Sequence, residues 1–550
     1  MKKILIYVLV LFCTNNIIGQ EIVLSQIDKL LMPFEKNEVF GIQVLLIKNG
    51  KTLYNKGVGR QAFDTNTPID QNTVFNVASI GKQFTAACIG ILIQQKKISL
   101  DDDIRKFLPE LKDLQEVIKI RHLLNHTSGI SNYHTLMDLQ GFDYDAEYYN
   151  NQTVLKLFTR QRRLNSVPGE KVSYSNTNFN LLAIIVERNT KQNLQEFSSI
   201  HIFKPLKMDL THFRVSDEQP KNLTAFGHGV DEKGYIKYPS EKQESYGAGN
   251  LWTCAADLSK WSSIFTDPTS KFKMLAKFLT TREKLTNGDL ATYARGLMVE
   301  EYKGHTTINH SGFARGYQSQ IINAPDQKLT VITLVNLETI NANELSYKIL
   351  DLFMNVGQNK ISQNVVASNA AVLNADSYIG QYVENNSDMK IAISIVNDTL
   401  RSTGSQSSKS IALIPEGEGK FHRKNNESVT YEFFKNTTSH LVISFGGAPF
   451  YFNRTQFVVK EKVEPILYQG DFYSEELQVL YHFYTEDGKL YLSYPNNQKI
   501  PLSPVIKDGF GNGRRTLYSF KRNNAGQITS MALSAEGTVA NILFLKTPTF

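Results

Sequence analysis

Cysteine is scarce, with three residues in 550. Cys13 falls in the leading segment, so only Cys88 and Cys254 remain for a folded body, and their spacing does not indicate a disulfide. Cys88 sits inside an apolar helical run and reads as an inert core thiol. Long apolar runs are scarce as well: past the leading segment, none reaches the roughly 18 consecutive apolar positions of a membrane span. Charge of one sign is never concentrated. The net charge of +7 is scattered, with no basic run dense enough for nucleic-acid binding. Paired carboxylates set for glycoside chemistry, a glycine-rich phosphate loop and H-E-x-x-H are all missing, so neither a metal nor a cofactor is expected. His122 and His126 share the i, i+4 spacing of helical metal ligands, but they fall in a segment with a structural reading, given below. Asp101-Asp102-Asp103 reads as a helix-starting cluster.

The first residues predict a secretory leader. Lys2-Lys3, the apolar run Ile4 to Phe12 and a polar stretch ending Ile17-Ile18-Gly19-Gln20 have its three parts, with cleavage after Gly19 or Gln20. Phe12 stands where a lipobox carries a small residue, which argues against lipid on Cys13. The protein is therefore expected outside the cytoplasm, periplasmic or secreted, with no membrane segment after removal of residues 1–19.

The densest chemical signal is Ala78-Ser79-Ile80-Gly81-Lys82, opening an apolar run from Ile80 to Ile98. Residues i and i+3 share a helix face, so Lys82 can accept the proton of Ser79 if the amine is neutral. Burial and the positive helix N-terminus both disfavour an ammonium there. Alone, S-x-x-K is a weak pattern. It gains weight from Tyr174-Ser175-Asn176 and His310-Ser311-Gly312 downstream. With Ile120 to Gly129 (Ile-Arg-His-Leu-Leu-Asn-His-Thr-Ser-Gly), Pro168-Gly169, Gly247-Ala248-Gly249-Asn250-Leu251 and Asn323-Ala324-Pro325-Asp326, these motifs stand in an order that resembles the penicillin-recognising serine hydrolases. The resembling branch holds class C β-lactamases, D-alanyl-D-alanine carboxypeptidases, D-aminopeptidases and related esterases, and the match runs over roughly residues 38 to 340.

That resemblance implies roles. Ser79 would be the nucleophile, with Lys82 or Tyr174 as general base, a choice the residues leave open. Asn176 would grip a substrate amide, although Asn also suits a helix N-cap. His310, Ser311 and Gly312 would line the substrate strand, with the backbone N–H groups of Ser79 and Phe313 as oxyanion donors. His310 stands where many relatives carry lysine. An unperturbed histidine titrates near ~6.5 and is largely neutral at pH 7, which argues against β-lactamase activity and makes a carboxylate anchor pH-dependent.

Alternating runs from Gly41 to Gly59 around Asn49-Gly50, and from Tyr317 to Val335, predict hairpins at both ends of a helix-rich middle. The expected fold is α/β in the α+β sense: a β-lactamase/transpeptidase-like domain, a helix cluster on an antiparallel sheet, over residues 20–356. A helix is predicted near Asn343 to Met354, and 357–374 reads as a linker. The remainder repeats itself. Tyr378, Leu413, Phe421 and Tyr431 recur as Tyr468, Leu502, Phe510 and Tyr518, at offsets of 87 to 90. Two small antiparallel barrels follow, over 375–460 and 464–550, resembling lipocalin-like domains and read as filled accessory modules.

The function expected from this reading is a secreted serine hydrolase that forms an acyl-enzyme on Ser79 and cleaves peptides containing D-amino acids, as a carboxypeptidase or aminopeptidase. The alternatives are an esterase, a β-lactamase, or an idle binder of cell-wall fragments. The partner is a small peptide, ester or β-lactam, and the oligomeric state is not legible.

Overall fold

A computed structural model describes residues 21–35, 40–215, 223–239, 243–354, 375–404, 409–434, 440–445, 449–458 and 463–548. The proposed leader and the 357–374 linker lie outside them. The chain forms two compact units: 1–100 with 179–283 and 292–359, and 101–178 with 284–291 and 360–550.

The first unit is built on a six-stranded antiparallel sheet in the order Met298–Tyr302, His305–Ala314, Tyr317–Ala324, Leu329–Val335, Ile42–Lys48, Lys51–Val58. The N-terminal hairpin turns at Asn49 (φ 52°) and Gly50 (φ 73°), the left-handed pair that a two-residue hairpin needs. Leu329–Val335 is buried at every position because both sheet faces are covered. On one face lie helix 21–35, through Ile27 and Leu31, and helix Ala342–Met354, through Leu345, Ile349 and Leu350. Helix Ala255–Thr266 packs on Ile42–Lys48 and Leu329–Val335. The run after Ser79 becomes helix Gly81–Gln94, buried nearly all round as its composition predicts.

The second unit holds residues 101–178 and two closed eight-stranded antiparallel barrels, spanning Gly380–Thr455 and Gly470–Lys546. The sequence repeat is a repeat of core positions: Tyr378, Leu413, Phe421 and Tyr431 are buried in one barrel, and Tyr468, Leu502, Phe510 and Tyr518 in the other. Phe472, Tyr481, Phe483, Phe520 and Phe544 pack the second interior with side chains. Asp103 caps the short helix Ile104–Lys106, its carboxylate accepting the Arg105 N–H at 2.9 Å.

Candidate active site

In the first unit, the chain reaches Ser79 through a constrained step. Ala78 has a left-handed backbone (φ 47°), a conformation that costs a non-glycine residue about 1 kcal/mol or more and is held here by its surroundings. Its N–H donates to Asn76 Oδ1 at 3.0 Å. Ser79 sits in the tight turn Ala78–Ile80, which leads directly into helix Gly81–Gln94.

Lys82 is fully buried, its Nζ 2.9 Å from Ser79 Oγ and 2.6 Å from the Ala248 carbonyl, to which it donates. Burial pushes its pKa well below the ordinary lysine value. A neutral amine donating one N–H to Ala248 can turn its lone pair to the Ser79 hydroxyl, so the geometry suits proton removal from the serine. Cys88 and Cys254 are both free and buried.

His305–Ala314 carries His310, Ser311, Gly312 and Phe313. Its ladder with Met298–Tyr302 runs from His305 to Asn309 and stops before His310, which leaves residues 310–313 outside that ladder. The other side pairs with Tyr317–Ala324 throughout. Gly312 lies against the residue two before the nucleophile; a Cβ there would come 2.2 Å from the Val77 carbonyl oxygen. That oxygen also accepts from Ser319 Oγ at 3.0 Å. A side chain has no room, which is the physical reason for glycine at this position.

His310 is deeply buried and bonded at both ring nitrogens. The imidazole is 3% exposed, with Nδ1 2.6 Å from the Ser311 carbonyl and Nε2 2.8 Å from Tyr293 Oη. A carbonyl can only accept, so Nδ1 carries the proton and Nε2 accepts from the phenol. Burial, and next the charge that Lys82 would carry, push its pKa from the usual value to about 3. His310 therefore does not titrate near 6.5. Tyr293 was missed by the sequence reading, because a lone tyrosine 17 positions upstream in no recognised motif gives no signal.

In the second unit, the segment Tyr174-Ser175-Asn176 is held from one side by His126, whose ring packs on Tyr174 at 4.2 Å between centroids, tilted by 37°. His126 Nδ1 lies 3.2 Å from the Ser175 N–H and 3.0 Å from Asn178 Nδ2, and accepts from both. His122 Nδ1 accepts the Lys119 N–H at 3.2 Å. His122 thus bonds within its own segment, while His126 ties that segment to Tyr174, Ser175 and Asn178. The Asn176 N–H donates to Asn132 Oδ1 at 3.0 Å, and its side-chain nitrogen lies 3.2 Å from His134 Nδ1. Asn176 is the first residue of helix Asn176–Thr190, with its side-chain nitrogen turned to His134. The structure thus gathers Ser79, Lys82, His310, Ser311, Gly312 and Phe313 in the first unit, and Tyr174 and Asn176 in the second.

Compared with known proteins, residues 27–352 match the family model described as Beta-lactamase. The chain belongs to the Beta-lactamase family. Members of this family are in general serine hydrolases on this fold. Among curated relatives, "Protein flp" of Staphylococcus aureus (strain N315) is 29% identical over 330 residues, 57% of this chain and 63% of that protein. A D-aminopeptidase of Brucella anthropi is 26% identical over 322 residues, 58% of this chain and 60% of that protein. The chain thus spans less than two thirds of the length of these relatives. The octameric penicillin-binding protein homologue from Pyrococcus abyssi superposes with a TM-score of 0.54 at 21% identity, over 86% of this chain and 98% of that one. At that identity the likeness shows the fold, and its extent exceeds the Beta-lactamase match. No helix among the described residues is long and apolar enough to cross a membrane.

Proposed function

We propose that this member of the Beta-lactamase family is an exported serine hydrolase that cleaves amide bonds next to D-amino acids through an acyl-enzyme on Ser79. The observation that carries the reading is the buried Lys82 amine 2.9 Å from Ser79 Oγ, its pKa pushed well below the ordinary lysine value by burial.

In the proposed cycle, Lys82 or Tyr174 takes the Ser79 proton as Oγ bonds to the carbonyl carbon. The N–H groups of Ser79 and Phe313 receive the oxyanion. The C–N bond then breaks, the departing nitrogen takes a proton, and water hydrolyses the ester to free Ser79. Asn176 grips the substrate amide, and Ser311 and Gly312 line its path. The similarity to a D-aminopeptidase supports the substrate class. Neutral His310, with both ring nitrogens turned to Tyr293 and Ser311, supplies no cation for a substrate carboxylate. This favours D-amino acid amides and the aminopeptidase type over the carboxypeptidase and β-lactamase types. The same machinery would accept small esters. Export, to the periplasm or beyond, rests on the leader read in residues 1–19.

The test is to treat the protein with a fluorophosphonate and with fluorescent penicillin, map the adducts, and assay D- and L-amino acid amides, a D-alanyl-D-alanine peptide and a neutral ester. The reading expects the adduct on Ser79 and D-amide turnover above the L-enantiomer. An adduct elsewhere, or no D-preference, refutes it.

A further inference from the structure

The last hairpin of the second barrel, strands Ile528–Ala535 and Val539–Lys546, turns through Glu536, Gly537 and Thr538. Glu536 (φ 55°) and Gly537 (φ 71°) are both left-handed, which makes the turn tight. Its own barrel fixes it. The Glu536 N–H donates to the Arg515 carbonyl at 2.7 Å, and the Arg515 guanidinium donates back to the Glu536 carbonyl at 3.1 Å. The first barrel holds it from another side: Arg515 lies over the Phe450 ring, 4.7 Å from its centroid, and a Cβ on Gly537 would come 3.2 Å from that ring.

The polar groups that this turn presents are taken up by the segment leading to Asn176. The Thr538 carbonyl accepts from the Asn132 N–H at 3.2 Å and from Asn165 Nδ2 at 2.7 Å. Thr135 Oγ1 donates to Glu536 Oε2 at 2.9 Å and lies 3.1 Å from Thr538 Oγ1. Asn132 Nδ2 donates to Thr135 Oγ1 at 3.2 Å, while Asn132 Oδ1 accepts the N–H of Asn176 at 3.0 Å. Asn132 therefore bonds the barrel with its main chain and Asn176 with its side chain. Asn132 and Thr135 are both buried, so these bonds form out of water, where loss of a partner is costly.

Attachment of the barrel does not by itself require this arrangement. Leu136 and Leu139 already pack into the barrel's core cluster, and Tyr481 Oη donates to the Leu139 carbonyl at 2.7 Å. We infer that the turn Glu536–Thr538 is a positioning element for Asn176: it sets Asn132 and Thr135, and through them the main chain from which the Asn176 carboxamide projects. Thr135 is the positioning residue, its hydroxyl bonded to Asn132, Glu536 and Thr538. The second barrel, with its interior filled by side chains, then serves the reaction from its rim. This inference rests on the proposed reading, in which Ser79 is acylated and Asn176 holds the substrate amide.

The experiment compares full-length wild type, Thr135→Val and Thr135→Ser. Valine keeps the shape and removes the hydroxyl, whereas serine restores it. Two rates are read: labelling of Ser79 by a fluorophosphonate, which offers Asn176 no amide to hold, and steady-state hydrolysis of a D-amino acid amide. Thr135→Val should label within about twofold of wild type, while its KM rises several-fold and kcat/KM falls about tenfold. Thr135→Ser should recover most of that loss. Unchanged amide kinetics in Thr135→Val, an equal fall in labelling and hydrolysis, or a Ser variant as impaired as Val would each overturn the inference. If Thr135→Val does not fold, Glu536→Gln must show the same split in smaller degree, and its failure to do so counts against the positioning role. A wild type that does not label at Ser79, or an Asn176→Ala variant with normal amide kinetics, refutes the underlying reading instead.

Discussion

Tyr293 and His310 form a closed pair, the phenol donating to Nε2 at 2.8 Å with the two rings at 89°. The other ring nitrogen is held by the Ser311 carbonyl at 2.6 Å. A histidine in a lysine's place reads in sequence as a largely neutral group that titrates near ~6.5. In the fold it is a neutral strut, and the two readings differ in what pH does.

The pH profile of kcat/KM should therefore lack an inflection near 6.5 from His310, whose pKa lies at about 3. Activity should rise with pH as Lys82 loses its proton, well below the ordinary lysine range, because only the neutral amine can take the serine proton. Profiles on one acidic and one neutral substrate should share the same shape between pH 5 and 8 in wild type. A difference centred on ~6.5 that vanishes in His310→Asn would restore the carboxylate-anchor role.

Stability carries the same signature with a defined sign. The unfolded chain protonates His310 below ~6.5, while the folded chain does not until about 3, so the unfolded state binds the extra proton between those values. Folding stability lost to this group should thus grow as pH falls through that window, with a slope of up to about 1.4 kcal/mol per pH unit, and level off below it. Urea unfolding of wild type and His310→Asn from pH 4 to 7 measures the slope as the difference between the two curves. Parallel curves would mean that the imidazole is charged, or solvated, in the native state.

Tyr293→Phe deletes one hydroxyl from a buried pair and leaves Nε2 without that donor. The expected cost is about 1–3 kcal/mol of stability, seen as a lower urea midpoint with an unchanged m-value. A loss under about 0.3 kcal/mol would show that the bond contributes little, or that water replaces it.

Gly312→Ala should fold poorly or lose activity, since its Cβ would sit 2.2 Å from the Val77 carbonyl oxygen and 2.3 Å from Ser319 Oγ. The backbone at Val77 would have to move, and with it the approach to Ser79. Fluorophosphonate labelling at a wild-type rate in this variant would show that the strand has slack the distances do not suggest.

Much of this architecture is legible from residue order. Ser79 and Lys82 announce themselves because an i, i+3 pair at the head of an apolar run has one geometry, and Asn49-Gly50 because few dipeptides tolerate two left-handed residues. The barrel repeat is legible because Tyr378 and Tyr468, like Tyr431 and Tyr518, recur as buried core positions. What escapes is set by tertiary packing. Tyr293 against His310, Asn132 against both Thr538 and Asn176, and the strained Ala78 before the nucleophile follow from packing, and no local periodicity encodes them. The lowered pKa of His310 escaped for the same reason: burial is its largest cause, and burial belongs to the fold.

The pair with which the site begins allows the sharpest test. If Ser79 and Lys82 form one proton-transfer unit, then Ser79→Ala and Lys82→Ala should each lower kcat by several orders of magnitude, and the double variant should lose little more than either single one. Additive free energies would instead mean that Lys82 acts apart from the serine, for example by binding substrate. Lys82→Arg sharpens the distinction. It keeps length and donors but cannot be neutral, so it should be as inactive as Lys82→Ala if the amine is the base. If Tyr174 is the base and Lys82 acts only as a cation, Lys82→Arg should retain activity well above Lys82→Ala, and Tyr174→Phe should become the more damaging change. Measuring fluorophosphonate labelling and ester hydrolysis side by side for these variants decides which group takes the serine proton, since the two bases predict opposite rankings.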